Sequence, residues 1–93
     1  MAGNTEYALS VTKKADADFR LQFRKNKPLA EATERKITEI LQAPYRFKPL
    51  RHQLAGCYRI HVLGSFVLIY QVDEKSKSVQ ILRFAHHDDA YRF

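Results

Sequence analysis

Ninety-three residues, 45% of them hydrophobic and 12% aromatic, suffice for one compact domain over residues 1–93, because a chain of this size buries roughly 60 to 65% of its unfolded surface. No stretch approaches the roughly 18 apolar residues of a membrane span, and the first residues lack a basic start and an apolar run, so the cytoplasm is the expected compartment, without membrane partners. The single cysteine, Cys57, excludes an internal disulfide and a cysteine-rich zinc site and reads as a small buried thiol.

Sixteen Lys and Arg against ten Asp and Glu give a formal net charge of +6, unevenly distributed. In the first half the basic residues alternate with Asp16, Asp18, Glu31, Glu34 and Glu39, the pattern of solvated helix faces. Between Glu39 and Asp73 there is no carboxylate, while Arg46, Lys48, Arg51, His52, Arg59 and His61 all fall in that window. A polyanion suits such a segment. A basic domain with no anionic partner fits the composition equally well.

In chain order, "TEYALSV" (5–11) places Tyr7, Leu9 and Val11 at alternate positions, the period of a half-buried strand. In "TKKADADFRLQFRKN" the spacing of Ala15, Phe19 and Phe23 predicts one helix face, with Thr12 as N-cap. Pro28 opens a second helix whose apolar positions Leu29, Ala32, Ile37, Ile40 and Leu41 lead to a stop at Pro44. Residues 45–56, "YRFKPLRHQLAG", read as an irregular approach closed by a glycine. Three strands follow, "CYRIHV", "FVLIYQV" and "SVQILRFA", the last two separated by the polar turn "DEKSKS".

Short connections between these strands predict an antiparallel meander whose middle strand, 66–72, is buried on both faces. The helical hairpin covers one face. The expected class is therefore α+β, a twisted antiparallel sheet packed against an N-terminal two-helix hairpin. Alternation places Arg59 and His61 together on the face opposite Tyr58, Ile60 and Val62.

The order strand, helix, helix, three strands, with "KPLRHQLAGCYRIHV", "FVLIYQV" and "HHDDAYR" in succession, resembles the RelE/ParE superfamily of small toxins from bacterial and archaeal toxin–antitoxin pairs. The resemblance covers nearly the whole chain and implies a β-α-α-β-β-β fold and a cognate antitoxin as protein partner. In RNA-cleaving members it further implies entry into the ribosomal A site, contact with ribosomal RNA and cleavage of the mRNA there. In ParE-like members the same fold inhibits DNA gyrase and does no RNA chemistry. Within the superfamily the YafQ branch is the more similar, through His52, His61, Phe66, His87 and Tyr91. Compared with RelE, Arg59 and His61 match basic residues of the second strand, His87 an arginine after the last strand, and Tyr91 a late tyrosine. Val67 departs from the arginine that RelE carries for the scissile phosphate, so that role is either vacant here or filled by Arg59 or Arg51. Ser65 departs from an aspartate in YafQ.

The residue types suit that chemistry on their own terms. Cleaving RNA through its own 2'-hydroxyl requires a base for that proton, a cation for charge growing on the phosphate, and an acid for the departing 5'-oxygen. Histidine, with an unperturbed pKa of about 6.5, serves as base or acid near neutral pH, whereas arginine and lysine supply charge. The expected catalytic set is His61, His87, Arg59, Tyr91 and His52, and Arg46, Lys48, Arg51, His86 and Phe66 are the expected RNA- and ribosome-binding residues. No cofactor is expected. Adjacent side chains on an extended tail point in different directions, so "HHDD" reads as a poor chelate and His86 and His87 are expected to face opposite ways. Asp88 and Asp89 read as a turn or as salt-bridge partners of Arg83 or Arg92. The tail "RFAHHDDAYRF" is expected to fold back along the sheet, pinned by Phe84, so that His87 and Tyr91 join Arg59 and His61. A non-catalytic RNA-binding module would keep the basic window without needing His61 and His87 together.

Overall fold

The computed structural model describes residues 6–90. Helix α1, Lys13–Phe23, begins where predicted: Thr12 takes an extended backbone and its Oγ1 accepts the Ala15 N–H at 3.0 Å, satisfying one of the donors a helix start leaves open. Helix α2, Lys27–Gln42, is capped by Asn26, whose Oδ1 accepts the Leu29 N–H at 3.2 Å, with Pro28 in the first turn where its missing N–H costs nothing. Thr33, buried on α2, returns its hydroxyl to the Leu29 carbonyl at 2.8 Å.

The sheet has five strands in the order β1-β5-β4-β3-β2: β1 Ala8–Val11, β2 Lys48–Pro49, β3 Cys57–Val62, β4 Phe66–Asp73 and β5 Ser78–His86. Strands β3, β4 and β5 form the expected antiparallel meander. Two features differ from expectation. The approach segment contributes a two-residue strand, β2, between two short 3-10 turns at Pro44–Arg46 and His52–Leu54. Strand β1 pairs parallel to β5, which makes the sheet mixed at that edge. Hairpins force antiparallel pairing between sequential strands, but β1 is separated from β5 by both helices and three strands, so its direction is unconstrained by any turn. All four residues of β1 are exposed, more than the alternation of Leu9 and Val11 suggests.

Between the helices and the sheet lies the larger core. Ala15, Leu29 and Ile40 pack on Ile60, Val62, Leu68, Tyr70, Val79, Ile81 and Phe84. The Tyr70 ring is fully buried and its hydroxyl donates to the Pro44 carbonyl at 2.6 Å, so the tyrosine's polar end is satisfied where α2 gives way to the first 3-10 turn. Phe84 is gripped by Phe19, Phe23 and Phe66 at centroid separations of 5.3, 5.4 and 5.5 Å. Full burial of such a ring contributes about 1.5 to 3 kcal/mol, which secures β5 close to the chain end.

Strand β1 runs out at Val11, opposite Ile81, while β5 continues to His86. The exposed edge is then covered by the start of α1. Thr12 N–H donates to Ile81 O at 3.1 Å and its hydroxyl to Leu82 O at 3.3 Å. Further along, the Asp18 carboxylate accepts the Phe84 N–H at 2.9 Å. Asp18 is thus 7% exposed rather than part of a solvated helix face, because it lies three residues from buried Ala15 on the inward stripe.

Candidate active site

Arg59 and His61 stand on the face turned away from the helices, as alternation requires: their cross-strand partners are Ile69 and Val67. That face is not simply solvated. Cys57, Val67, Ile69, Ala85 and Ala90 form a second buried cluster on it, with Leu50 and Leu82 packed against them. Ala90 belongs to the tail beyond β5 and is fully buried. The tail therefore folds back over the Arg59/His61 face, in the direction expected from the sequence. Tyr91, the other tail residue assigned to the site, and Phe93 lie outside the described residues.

A tight turn makes this reversal. The His87 N–H donates to the Ser65 carbonyl at 2.8 Å, and the Asp89 and Ala90 N–H groups both donate to the His86 carbonyl, at 2.8 and 3.0 Å. Ser65, the position that departs from the aspartate of YafQ, thus serves through its backbone. Register sets His61 beside Val67 and Val67 beside Ala85, so His61 and Ala85 are two strand spacings, roughly 10 Å, apart, with His87 two residues beyond Ala85.

His86 and His87 do not face opposite ways. Their rings lie 4.5 Å apart between centroids, and both Nδ1 atoms approach Asp88, at 3.5 Å for His86 and 3.1 Å for His87. The expectation of divergence assumed an extended tail, and the turn at 86–90 removes that assumption. Asp88 accordingly serves the histidines, while Arg83 pairs with Asp18 at 2.9 Å instead of with a tail aspartate.

The remaining residues divide by location. Lys48 on β2 is the cross-strand partner of Arg59, so the two cations share one end of the sheet. Arg51, just before the second 3-10 turn, and His52, its first residue, are both exposed, with His52 in the left-handed region at φ 57°. Arg46 is drawn off to the helices: it contacts Glu39 at 3.2 Å and lies 4.9 Å over the Phe47 ring. Phe66 faces the helical layer, stacked on Phe84, with the His86 ring at its edge. It therefore braces His86 from the side opposite Arg59 and His61. Val67 is fully buried under the tail, so that position offers no group to a ligand.

The acidic side chains near the sheet ends are committed elsewhere. Asp73 accepts from the Lys75 and Ser76 amides. Glu74 takes the Tyr7 and Tyr45 hydroxyls and the Lys77 ammonium. Burial pushes the Cys57 thiol above its ordinary pKa, which disfavours the reactive thiolate while the fold is closed. Sequence reasoning missed Asp18 and the paired use of Asp88. The signal for Asp18 was its place on the apolar stripe of α1; for Asp88 no local pattern existed.

Residues 9–91 match the family model for the ParE toxin of the type II toxin-antitoxin system, parDE. The chain belongs to this toxin family. Among relatives, the toxin is 35% identical over 86 residues to RelE4, a candidate toxin of Methanocaldococcus jannaschii, covering 92% of each chain. It is 37% identical over 65 residues to Toxin RelG of Mycobacterium tuberculosis, covering 69% of this chain and 74% of that one. Among solved structures, it superimposes on one chain of the toxin-antitoxin complex RelBE2 from Mycobacterium tuberculosis with a TM-score of 0.74 and 30% identity, covering 87% of this chain and 91% of that one. The toxin thus joins the RelE/ParE superfamily in sequence and in fold. No helix among its described residues is long and apolar enough to cross a membrane.

Proposed function

We propose that this toxin is a ribosome-dependent endoribonuclease that cuts mRNA in the A site, and that a cognate antitoxin holds it inactive. The observation that supports the reading is the turn at 86–90, which returns Ala90 over the face bearing Arg59 and His61 and leaves the His87 side chain 51% exposed. In the proposed reaction His61 takes the proton of the 2'-hydroxyl, whose oxygen attacks the adjacent phosphorus. Arg59, with its cross-strand partner Lys48 and with Arg51, offsets the charge that grows on the phosphate. His87 protonates the 5'-oxygen as the P–O bond breaks, leaving a 2',3'-cyclic phosphate and a free 5'-hydroxyl. Tyr91 is assigned to stacking on or orienting the substrate. The relatives named RelE4 and RelG favour the RNA-cleaving branch, and the RelBE2 complex favours an antitoxin partner. Carboxylates on such a partner would complement the segment from Arg46 to His61, which carries none.

A second reading, gyrase inhibition, is favoured by the family model, which bears the ParE name. Pulse labelling after expression without antitoxin separates the two. Loss of protein synthesis before DNA synthesis is expected; arrest of DNA synthesis first, with translation continuing, would transfer the toxin to the gyrase-directed branch.

A further inference from the structure

We propose that His86, His87 and Asp88 form a site for one divalent transition-metal ion, with zinc as its probe, and that filling it switches the toxin off by withdrawing His87 from proton transfer. The second half rests on the cleavage reading above; the first does not. Two imidazoles and a carboxylate are the donor set that zinc, nickel and copper take from proteins, and one donor atom from each of the three residues lies within 4.8 Å of the other two. The Asp88 oxygens stand 3.5 and 3.1 Å from the two Nδ1 atoms. Four ligands at about 2.0 to 2.1 Å around a tetrahedral zinc are separated by about 3.3 Å, so each histidine is already near a coordination edge with Asp88, His86 through Oδ2 and His87 through Oδ1, and a small rotation of the carboxylate brings one oxygen to both.

Three consecutive residues ordinarily make a poor chelate because the backbone must be ordered to bring them together. Here the fold has ordered it. His87 is tied to Ser65, the His86 carbonyl accepts two amides of the turn, and Ala90 is locked in the second core. The Phe66 ring edge braces His86. One contact competes with a metal, the Asp88 N–H to His86 Nδ1 at 3.3 Å, at the long end of hydrogen-bonding distance. The side chains are 42%, 51% and 72% exposed, so an ion enters from solvent without opening the fold and keeps water in its remaining positions. Because imidazole nitrogens must be unprotonated to bind, occupancy falls as the medium becomes acidic. An ion on His87 Nδ1 excludes the imidazolium form, the acid that the departing 5'-oxygen needs, and its charge offsets that of Asp88.

The test is zinc titration of the full chain against a chromogenic chelator, for the parent and for His86→Ala, His87→Ala, Asp88→Asn and His52→Ala. Single-turnover cleavage on programmed ribosomes is read with and without zinc in the same preparations. One zinc per chain is expected, weakened on the order of tenfold or more by each of the first three substitutions and unchanged by His52→Ala, with a zinc-dependent rise in melting temperature confined to chains that bind. Equal binding by all five chains, or none at micromolar zinc, overturns the site. Specific binding with cleavage unaffected by zinc overturns the switch. If the metal-free parent cuts nothing, the cleavage reading fails while the titration still decides the site.

Discussion

Arg83 donates through Nε to the Asp18 carboxylate at 2.9 Å, across 65 positions of sequence, with side chains only 10% and 9% exposed. The same Asp18 oxygen takes the Phe84 N–H, so one carboxylate both pairs a buried cation and finishes the hydrogen bonding of the β5 edge beyond the end of β1. Removing the Asp18 carboxylate takes a buried charge-assisted hydrogen bond from Arg83 and the acceptor from the Phe84 N–H. Asp18→Ala is therefore expected to cost about 3 to 5 kcal/mol, and Asp18→Asn less, since its amide oxygen still accepts. Urea unfolding checks both. A loss below about 1 kcal/mol for Asp18→Ala would place the pair with ordinary surface ion pairs.

His87→Ala and His61→Ala are each expected to slow single-turnover mRNA cleavage on ribosomes by about 10²- to 10⁴-fold while melting near the parent temperature, because an exposed histidine contributes little to stability. His86→Ala is expected to lose less than about tenfold, since the proton transfer is assigned to His87 and the His86 ring packs against the Phe66 edge. The reverse order of His86 and His87 would shift the acid by one residue. Normal cutting by both would make the turn a cover only.

Salt separates the basic residues. Alanine at Lys48, Arg51 or Arg59 is expected to lower the log–log salt slope of RNA or ribosome binding by about 0.7 to 0.9 each. Arg46→Ala is expected to change it far less, because Glu39 already engages that guanidinium. A uniform effect across all four would mean that RNA draws Arg46 away from α2.

Glu74 gathers the Tyr7 and Tyr45 hydroxyls and the Lys77 ammonium, which joins the entry to β1, the first 3-10 turn and the β4–β5 turn. The Lys77 hydrogen bond, then those of Tyr45 and Tyr7, hold its carboxyl well below the ordinary value of 4.5, at about 2. A depressed carboxyl stabilises the fold fully above its unfolded pKa and loses that contribution as pH falls through the folded one. The parent should thus lose this contribution between about pH 4.5 and pH 2. Glu74→Gln should melt lower at neutral pH and show a flatter decline across that window at low salt, where exposed charges are least screened. Parallel melting curves for the two chains would dismiss the cluster.

Periodicity was a sufficient guide to both helices and to strands β1, β3, β4 and β5, because each carries a face of apolar side chains long enough to set a repeat. It was silent on β2, where Lys48 and Pro49 have no repeat and pair only because β3 offers an edge. Strand direction was equally invisible at β1, since alternation is the same for parallel and antiparallel pairing. At the site, the common face of Arg59 and His61 was legible from alternation alone. The meeting of His86 and His87 was not, because it depends on a backbone turn fixed by the Ser65 carbonyl, which any residue could supply. Ala90 gave no warning of its role either, being too small to mark a core by itself.

The second core has a chemical consequence. Cys57, 8% exposed, shares its packing with Ala90 of the tail that shapes the candidate site. Its thiol is largely shielded while that packing holds, so the rate at which a thiol reagent modifies Cys57 reports how often the tail leaves the sheet. Reagent, antitoxin and ribosome would each report on the same opening: a partner that clamps the tail shields the sulfur without touching it, and one that peels the tail away hands the sulfur to the reagent. The molecule's only cysteine is thereby a built-in clock for the integrity of its site.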